Sequence, residues 1–225
     1  MLRITTTLST LTLAALLAQP AAAQNPPGNV YVQTNDPAGN SVLVWNRARD
    51  GKLTFQARFD TGGTGGGPLD SQGSVILTPD ERFLLVTNIG DCSMSSFAIN
   101  ARGGLQLVDH VLTTGDGPVS LAFDQGVIYV LHKGSAINDV RAFTLDASGF
   151  MPNIPGSRRP LSIPKPGPAQ VQFSPLGNWI VVTEKATNNF LIYDVDPVTK
   201  LLGPPGVHAS NGQTPFGFDF AADDL

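Results

Sequence analysis

The chain has 225 residues, 41% of them apolar and 14% charged, with a formal net charge of −4. Its basic residues are scattered, so it lacks the electrostatic footprint of a nucleic-acid or anionic-membrane partner, and both are set aside. Its 24 glycines and 18 prolines favour short strands joined by turns over long helices, and with Cys92 as the single cysteine no internal disulfide can form.

Arg3 supplies a positive charge, Leu8 to Leu17 is apolar apart from Ser9, Thr10 and Thr12, and Ala21-Ala22-Ala23 offers the small residues that signal peptidases accept. The apolar run closes at Gln19-Pro20, short of the roughly 20 residues that a membrane-spanning helix needs. The sequence therefore predicts a cleaved signal peptide over 1–23, export to the periplasm or beyond, and a domain over 24–225 with no remaining membrane span. A domain of that length buries a core without disulfides or metals.

After the signal, one phrase occurs four times. A short apolar run ends in a polar residue, at Asn35, Asn88, His132 and Glu184, spaced 53, 44 and 52 residues apart. A second run follows each copy and carries an aromatic residue, Trp45, Phe97, Phe143 and Tyr193, placed 10, 9, 11 and 9 residues beyond the polar end. Tight turns come next, at Arg49–Lys52, Ala101–Gly104, Asp146–Gly149 and Asp196–Thr199. The first three hold a glycine able to take positive φ, whereas the fourth has Pro197 to preset its turn.

A third strand leaves each turn, as in Leu53–Phe59 and Leu105–Val108, and a Gly/Pro loop then leads to a further strand at Gly73–Leu77, Gly117–Phe123 and Gly167–Phe173. Four strands per repeat of about 50 residues is the pattern of a propeller blade. A β-sandwich also has closely spaced turns, but does not require one phrase to return four times. The predicted fold is all-β, a propeller of about four blades, with Thr214–Phe220 as the opening strand of a fifth and the ring left incomplete.

In such a blade the loop leading into the innermost strand and the loop after the second strand open on the same mouth of the central channel. The inlet loops hold Gln72 and Gln170, and the second set starts at Asn35, Asn88, His132 and Glu184. Glu184 and His132 are the acid and the imidazole of this ring, a pairing suited to general acid–base work. Lys133 and Lys185 follow them as partners for an anionic substrate, and Gln72, Asn88 and Gln170 complete the candidate binding set. The competing reading makes these residues solvated loop positions.

Other motifs fail on inspection. The glycine-rich Thr61–Gly67 has no Gly-Lys-Ser/Thr and no following helix, so it reads as a flexible inter-blade loop and not a phosphate cradle. His110, His132 and His208 have no zinc-type spacing, no calcium loop is present, and no nucleophile elbow occurs. No cofactor or metal is predicted. Cys92 reads as a small loop residue.

Ser71-Gln72-Gly73-Ser74, Phe83–Asn88, Gly167–Pro175 with Val182-Thr183-Glu184-Lys185, and Thr214–Phe218 resemble the bacterial seven-bladed propeller lactonase family, which includes 6-phosphogluconolactonase-like and carboxymuconate cyclase-like proteins. The resemblance runs from about Gly28 onward. It implies seven blades in a complete member, a small-molecule lactone or sugar-acid ligand, and a channel-mouth site whose acid falls on Glu184. Ala169-Gln170 departs from the Arg-His that many members carry before the inner strand. The alternative function is a non-catalytic surface or binding module, since Val32–Asn35 and Leu85–Asn88 also resemble surface-layer propeller repeats. An incomplete ring exposes sheet edges, which predicts self-association.

Overall fold

Continuous apolar runs flanked by turn residues build four antiparallel sheets that follow one another along the chain. The computed structural model describes residues 27–135 and 138–221, so the expected signal peptide lies outside the described residues. The first sheet holds β1 (Gly28–Gln33), β2 (Ser41–Arg47) and β3 (Leu53–Asp60). The second holds β4 (Val75–Leu77), β5 (Phe83–Asn88), β6 (Ser93–Ile99) and β7 (Leu105–Leu112). The third holds β8 (Pro118–Asp124), β9 (Val127–His132), β10 (Asp139–Thr144) and β11 (Arg159–Pro160). The fourth holds β12 (Pro168–Phe173), β13 (Trp179–Glu184), β14 (Asn189–Asp194) and β15 (Gly206–Ala209). In each, the strands pair in chain order, which is the meander of a propeller blade. Among the described residues no helix is long and apolar enough to cross a membrane.

The recurring phrase of the sequence is the second strand of the four-stranded sheets, β5, β9 and β13, and its counterpart in the three-stranded first sheet is β1. Alternation of side chains across these strands explains how one blade packs against two neighbours. Leu84 and Val86 on β5 pack with Val42 and Val44 of the first blade, while Phe83 and Leu85 pack with Ile128 and Val130 of the third. On β9 the complementary set, Tyr129 and Leu131, meets Val171, Ile180 and Val182 of the fourth blade. Strands β5 and β9 are therefore buried along their whole length, which accounts for their near-continuous apolar sequence.

The outer hairpins share a side-chain cap, placed alike in the second and third blades and shifted in the first, where Asp50 directly precedes the left-handed Gly51 and Ala48 stands in the place of Asn100 and Asp146. Asp50, Asn100, Asp146 and Asp196 each accept a hydrogen bond at Oδ1 from the backbone N–H two residues on, at 3.0, 2.9, 2.8 and 2.9 Å. The left-handed residue each turn requires is Gly51, Gly103 and Gly149 in the first three blades. In the fourth it is Lys200, at φ 58°, so that turn depends on more than the proline expected to preset it. Strand β11 is only two residues long, because the stretch before it carries Pro152 and Pro155 and it ends on Pro160.

Thr214–Phe220 forms no ladder among the described residues, in contrast to the strand expected there. It lies against the fourth blade instead: Thr183 Oγ1 donates to Phe216 O at 2.7 Å, and Gln170 both donates to Phe218 O at 2.9 Å and accepts from Phe218 N at 3.0 Å.

Candidate functional site

Pro118 pairs with His132 across β8 and β9, and Pro168 with Glu184 across β12 and β13. The start of each inner strand and the end of each second strand thus share one face. The candidate residues of that face separate into two layers.

The lower layer is Asn88, His132 and Glu184, all fully buried. They sit beneath the surface of that face, because the connector leaving the outer strand of the preceding blade passes directly over each of them. A Cβ on Gly63 would stand 2.5 Å from Asn88 Cγ, and one on Gly115 would stand 2.4 Å from His132 Cδ2. Thr61–Gly67 accordingly serves as a close-packed crossing, with Gly90 N donating to Thr64 O at 3.0 Å and Gly65 N to Asp36 O at 2.8 Å. This corrects its reading as a flexible loop: glycine is needed there for close approach.

Each buried residue makes its own contacts. Asn88 accepts from Asn40 Nδ2 at 2.8 Å and donates to Ser93 Oγ and Ser95 Oγ at 3.0 and 2.9 Å. Glu184 accepts at Oε1 from Ser162 N at 2.9 Å and at Oε2 from Thr187 Oγ1 at 2.7 Å, with a very short bond from Ser162 Oγ as well. These donors satisfy the carboxylate and clamp the connector of the third blade onto the fourth.

His132 Nδ1 lies 2.9 Å from Asp139 Oδ1, a close polar approach that misses the direction of the ring N–H, and its Nε2 has no hydrogen-bond partner among the described residues. Asp139 is fully buried and also meets Arg158 Nε at 2.8 Å and Arg141 Nη2 at 3.0 Å. Burial pushes the Asp139 carboxyl up, but contacts with His132, Arg141 and Arg158 outweigh it and hold the group well below the usual carboxylate range. Arg141 in turn donates from Nη1 to Thr114 Oγ1 at 2.8 Å, so the ion cluster also grips the connector above His132.

The upper layer is accessible. Lys133 Nζ lies 3.4 Å, and Lys185 Nζ 2.5 Å, from the same oxygen, Asp70 Oδ2. Lys185 also donates to Asp70 O at 2.7 Å and stands 4.9 Å over the Phe216 ring. Its hydrogen bond is the main cause that holds the Asp70 carboxyl below its ordinary value. The two lysines come from different blades, so the structure brings together the pair that the sequence placed after His132 and Glu184.

Gln72 and Gln170 come together at a second point. Gln72 N donates to Ala169 O at 2.9 Å, and a Cβ on Gly217 would lie 3.3 Å from Gln72 Nε2, beside the Phe218 backbone that Gln170 engages. Gln170 and Gln172 also line a cavity of about 320 Å³ with Ile76, Leu121 and Phe123 from the neighbouring inner strands. Among the described residues no cluster of histidine, cysteine, aspartate and glutamate could hold a metal.

Asp70, Asp139, Arg141, Arg158 and Ser162 all matter to this face, and sequence reasoning missed them. Asp70 alone carried a signal, as the carboxylate directly preceding the Ser71-Gln72-Gly73 inlet.

No curated protein matches the chain. Among solved structures, a Pseudomonas aeruginosa periplasmic gluconolactonase superposes with a TM-score of 0.62 at 20% identity, over 83% of this chain and 52% of that one. A Lactobacillus plantarum protein gives 0.58 at 15% identity over 85% and 58%, and a candidate 6-phosphogluconolactonase from Bacteroides uniformis gives 0.56 at 15% over 86% and 71%. The chain spans little more than half the length of the first two. These likenesses establish the fold, while the sequence itself matches the family described as "Lactonase, 7-bladed beta-propeller" over residues 38–154, more than half of its length. The chain belongs to the seven-bladed β-propeller lactonase family.

Proposed function

We propose that this chain is an exported, lactonase-like propeller protein that binds an anionic lactone or sugar acid at the channel mouth and hydrolyses or isomerises it there. One observation carries the reading: ammonium groups from two blades converge on a single carboxylate oxygen, that of Asp70. A site that binds an aspartate carboxylate in this way presents the chemistry needed for the carboxylate or phosphate of a sugar acid. The description of the Pseudomonas aeruginosa protein as a periplasmic gluconolactonase supports the substrate class, and with the apolar Leu8–Leu17 segment it supports export.

In hydrolysis, water oxygen bonds to the lactone carbonyl carbon, the ring C–O bond breaks, and the proton lost by water ends on the released hydroxyl. Glu184, with His132, is the proposed proton-transferring group. Its carboxylate must first leave Ser162 and Thr187, so turnover requires the third-blade connector to lift. A second reading, a non-catalytic binding module, is favoured by the complete burial of Glu184 and its satisfied hydrogen bonds.

The test is gluconolactone hydrolysis followed by pH-stat for the unmutated protein, Glu184→Gln and Lys185→Met, with thermal melts to verify folding. Turnover lost in folded Glu184→Gln supports the enzyme. Turnover in the unmutated protein no faster than the buffer rate leaves the binding module.

A further inference from the structure

The connector between β3 and β4 reaches well beyond its own blade. Leu69 packs against the core shared by the third and fourth blades. Ser71 Oγ donates to Val119 O on β8 at 2.8 Å, and Gln72 N donates to Ala169 O on β12 at 2.9 Å. Between these anchors Asp70 directs its carboxylate at Lys133 and Lys185. Leu69–Gln72 is therefore a strap laid across the mouth from the first blade to the inner strands of the third and fourth.

Asp70 itself adopts φ 48°, a left-handed conformation that is uncommon for residues other than glycine. Aspartate is among the few residues that tolerate that conformation, and the contacts of its neighbours hold it there. The carboxylate is also half exposed, and ion pairs open to water are individually weak. Such a contact can be exchanged for another of the same kind.

We propose that Asp70 is a tethered pseudo-ligand: its carboxylate occupies the anion subsite formed by Lys133 and Lys185, and an incoming oxyanion must displace it before it can bind. This rests on the reading of the lysine pair as the anion site. The strap makes binding a competition between a free ligand and a covalently attached one, whose effective concentration is on the order of millimolar for a short tether. Apparent affinity falls by the fraction of molecules in which the subsite is open.

The experiment is calorimetric titration of the folded protein with gluconate, as a carboxylate probe, and separately with inorganic phosphate. Asp70→Asn removes the charge while keeping the shape, and asparagine tolerates the left-handed backbone. Asp70→Gly, which that backbone also favours, is the second variant should the first fold poorly. Each is expected to bind about tenfold more tightly than the unmutated protein, and adding Lys185→Met should abolish the gain. A gain for gluconate alone identifies a carboxylate subsite, and a gain for phosphate alone a phosphate subsite; either supports the proposal.

Equal affinity in the unmutated protein and both Asp70 variants, with binding still weakened by Lys185→Met, overturns the strap and leaves the anion site standing. Absence of binding in every form, or binding indifferent to Lys185→Met, overturns the anion-site reading and the strap with it.

Discussion

Asp139→Asn is the sharpest single perturbation of the lower layer. The carboxylate is fully buried and faces His132 at 2.9 Å, Arg158 at 2.8 Å and Arg141 at 3.0 Å. Replacing it by a neutral amide leaves Arg141, 18% exposed, and the half-exposed Arg158 without their counter-charge, and breaking the largely buried pair with Arg141 costs about 3 kcal/mol. For a domain of this size, about 1 kcal/mol corresponds to roughly 2–4 °C in Tm, so the melt should fall by about 6–12 °C at pH 7.

The pH dependence follows from the direction of the shift. The folded carboxyl lies below its unfolded value of about 3.9. Its stabilisation is therefore fully present above that value and is lost as pH falls towards the folded pKa. Melts of the unmutated protein and the variant should differ most near neutrality and converge on acidification. A difference of less than about 2 °C at neutral pH, or one no smaller at about pH 2.5 than at pH 7, would refute the assignment of the stabilisation to this ionised group.

Three further outcomes are expected. Gly115→Ala places a methyl 2.4 Å from the His132 ring and should destabilise by about 1–3 kcal/mol, read in a denaturant titration; an unchanged midpoint would mean that the ring moves freely. Ser162→Ala removes the hydroxyl donor to Glu184 and should cost about 1–3 kcal/mol while raising susceptibility to proteolysis around residues 161–165, an effect that Asn88→Ala in a different blade should not reproduce. Residues 24–225 expressed alone should self-associate, since β1 has no partner on its inner side among the described residues; a monomeric mass by light scattering at high concentration would count against this.

The blade was legible in the sequence because its determinants are local. Strand alternation, the aromatic in β2, β6, β10 and β14, and the turn residues after them all lie within a few positions of one another. The depth of the candidate site was not legible in that way. Position at the end of a second strand correctly locates Asn88, His132 and Glu184 on one face, but their burial depends on connectors from another blade, such as Ser162 meeting Glu184 from 22 residues away.

Asp139 and Arg158 likewise meet only because β10 and the segment before β11 are neighbours in space, 19 residues apart in the chain. Composition misled at Thr61–Gly67, where glycine allows close packing over Asn88 and Asn35. It also hid Asp70, whose partners Lys133 and Lys185 lie 63 and 115 residues downstream.

The crossing connectors have a consequence for how such a protein evolves. Because Gly63 lies on Asn88, Gly115 on His132, and Ser162 on Glu184, the residue ending one blade's second strand and the residue capping it belong to successive repeats. A duplication or exchange that moved one blade as a unit would part each cap from its matched partner at both joints. Asparagine under glycine is not interchangeable with glutamate under serine. The heritable module is thus offset from the visible one, running from the second strand's neighbourhood in one blade back to the outer connector of the blade before it, and substitutions at the two halves of each joint should be selected together.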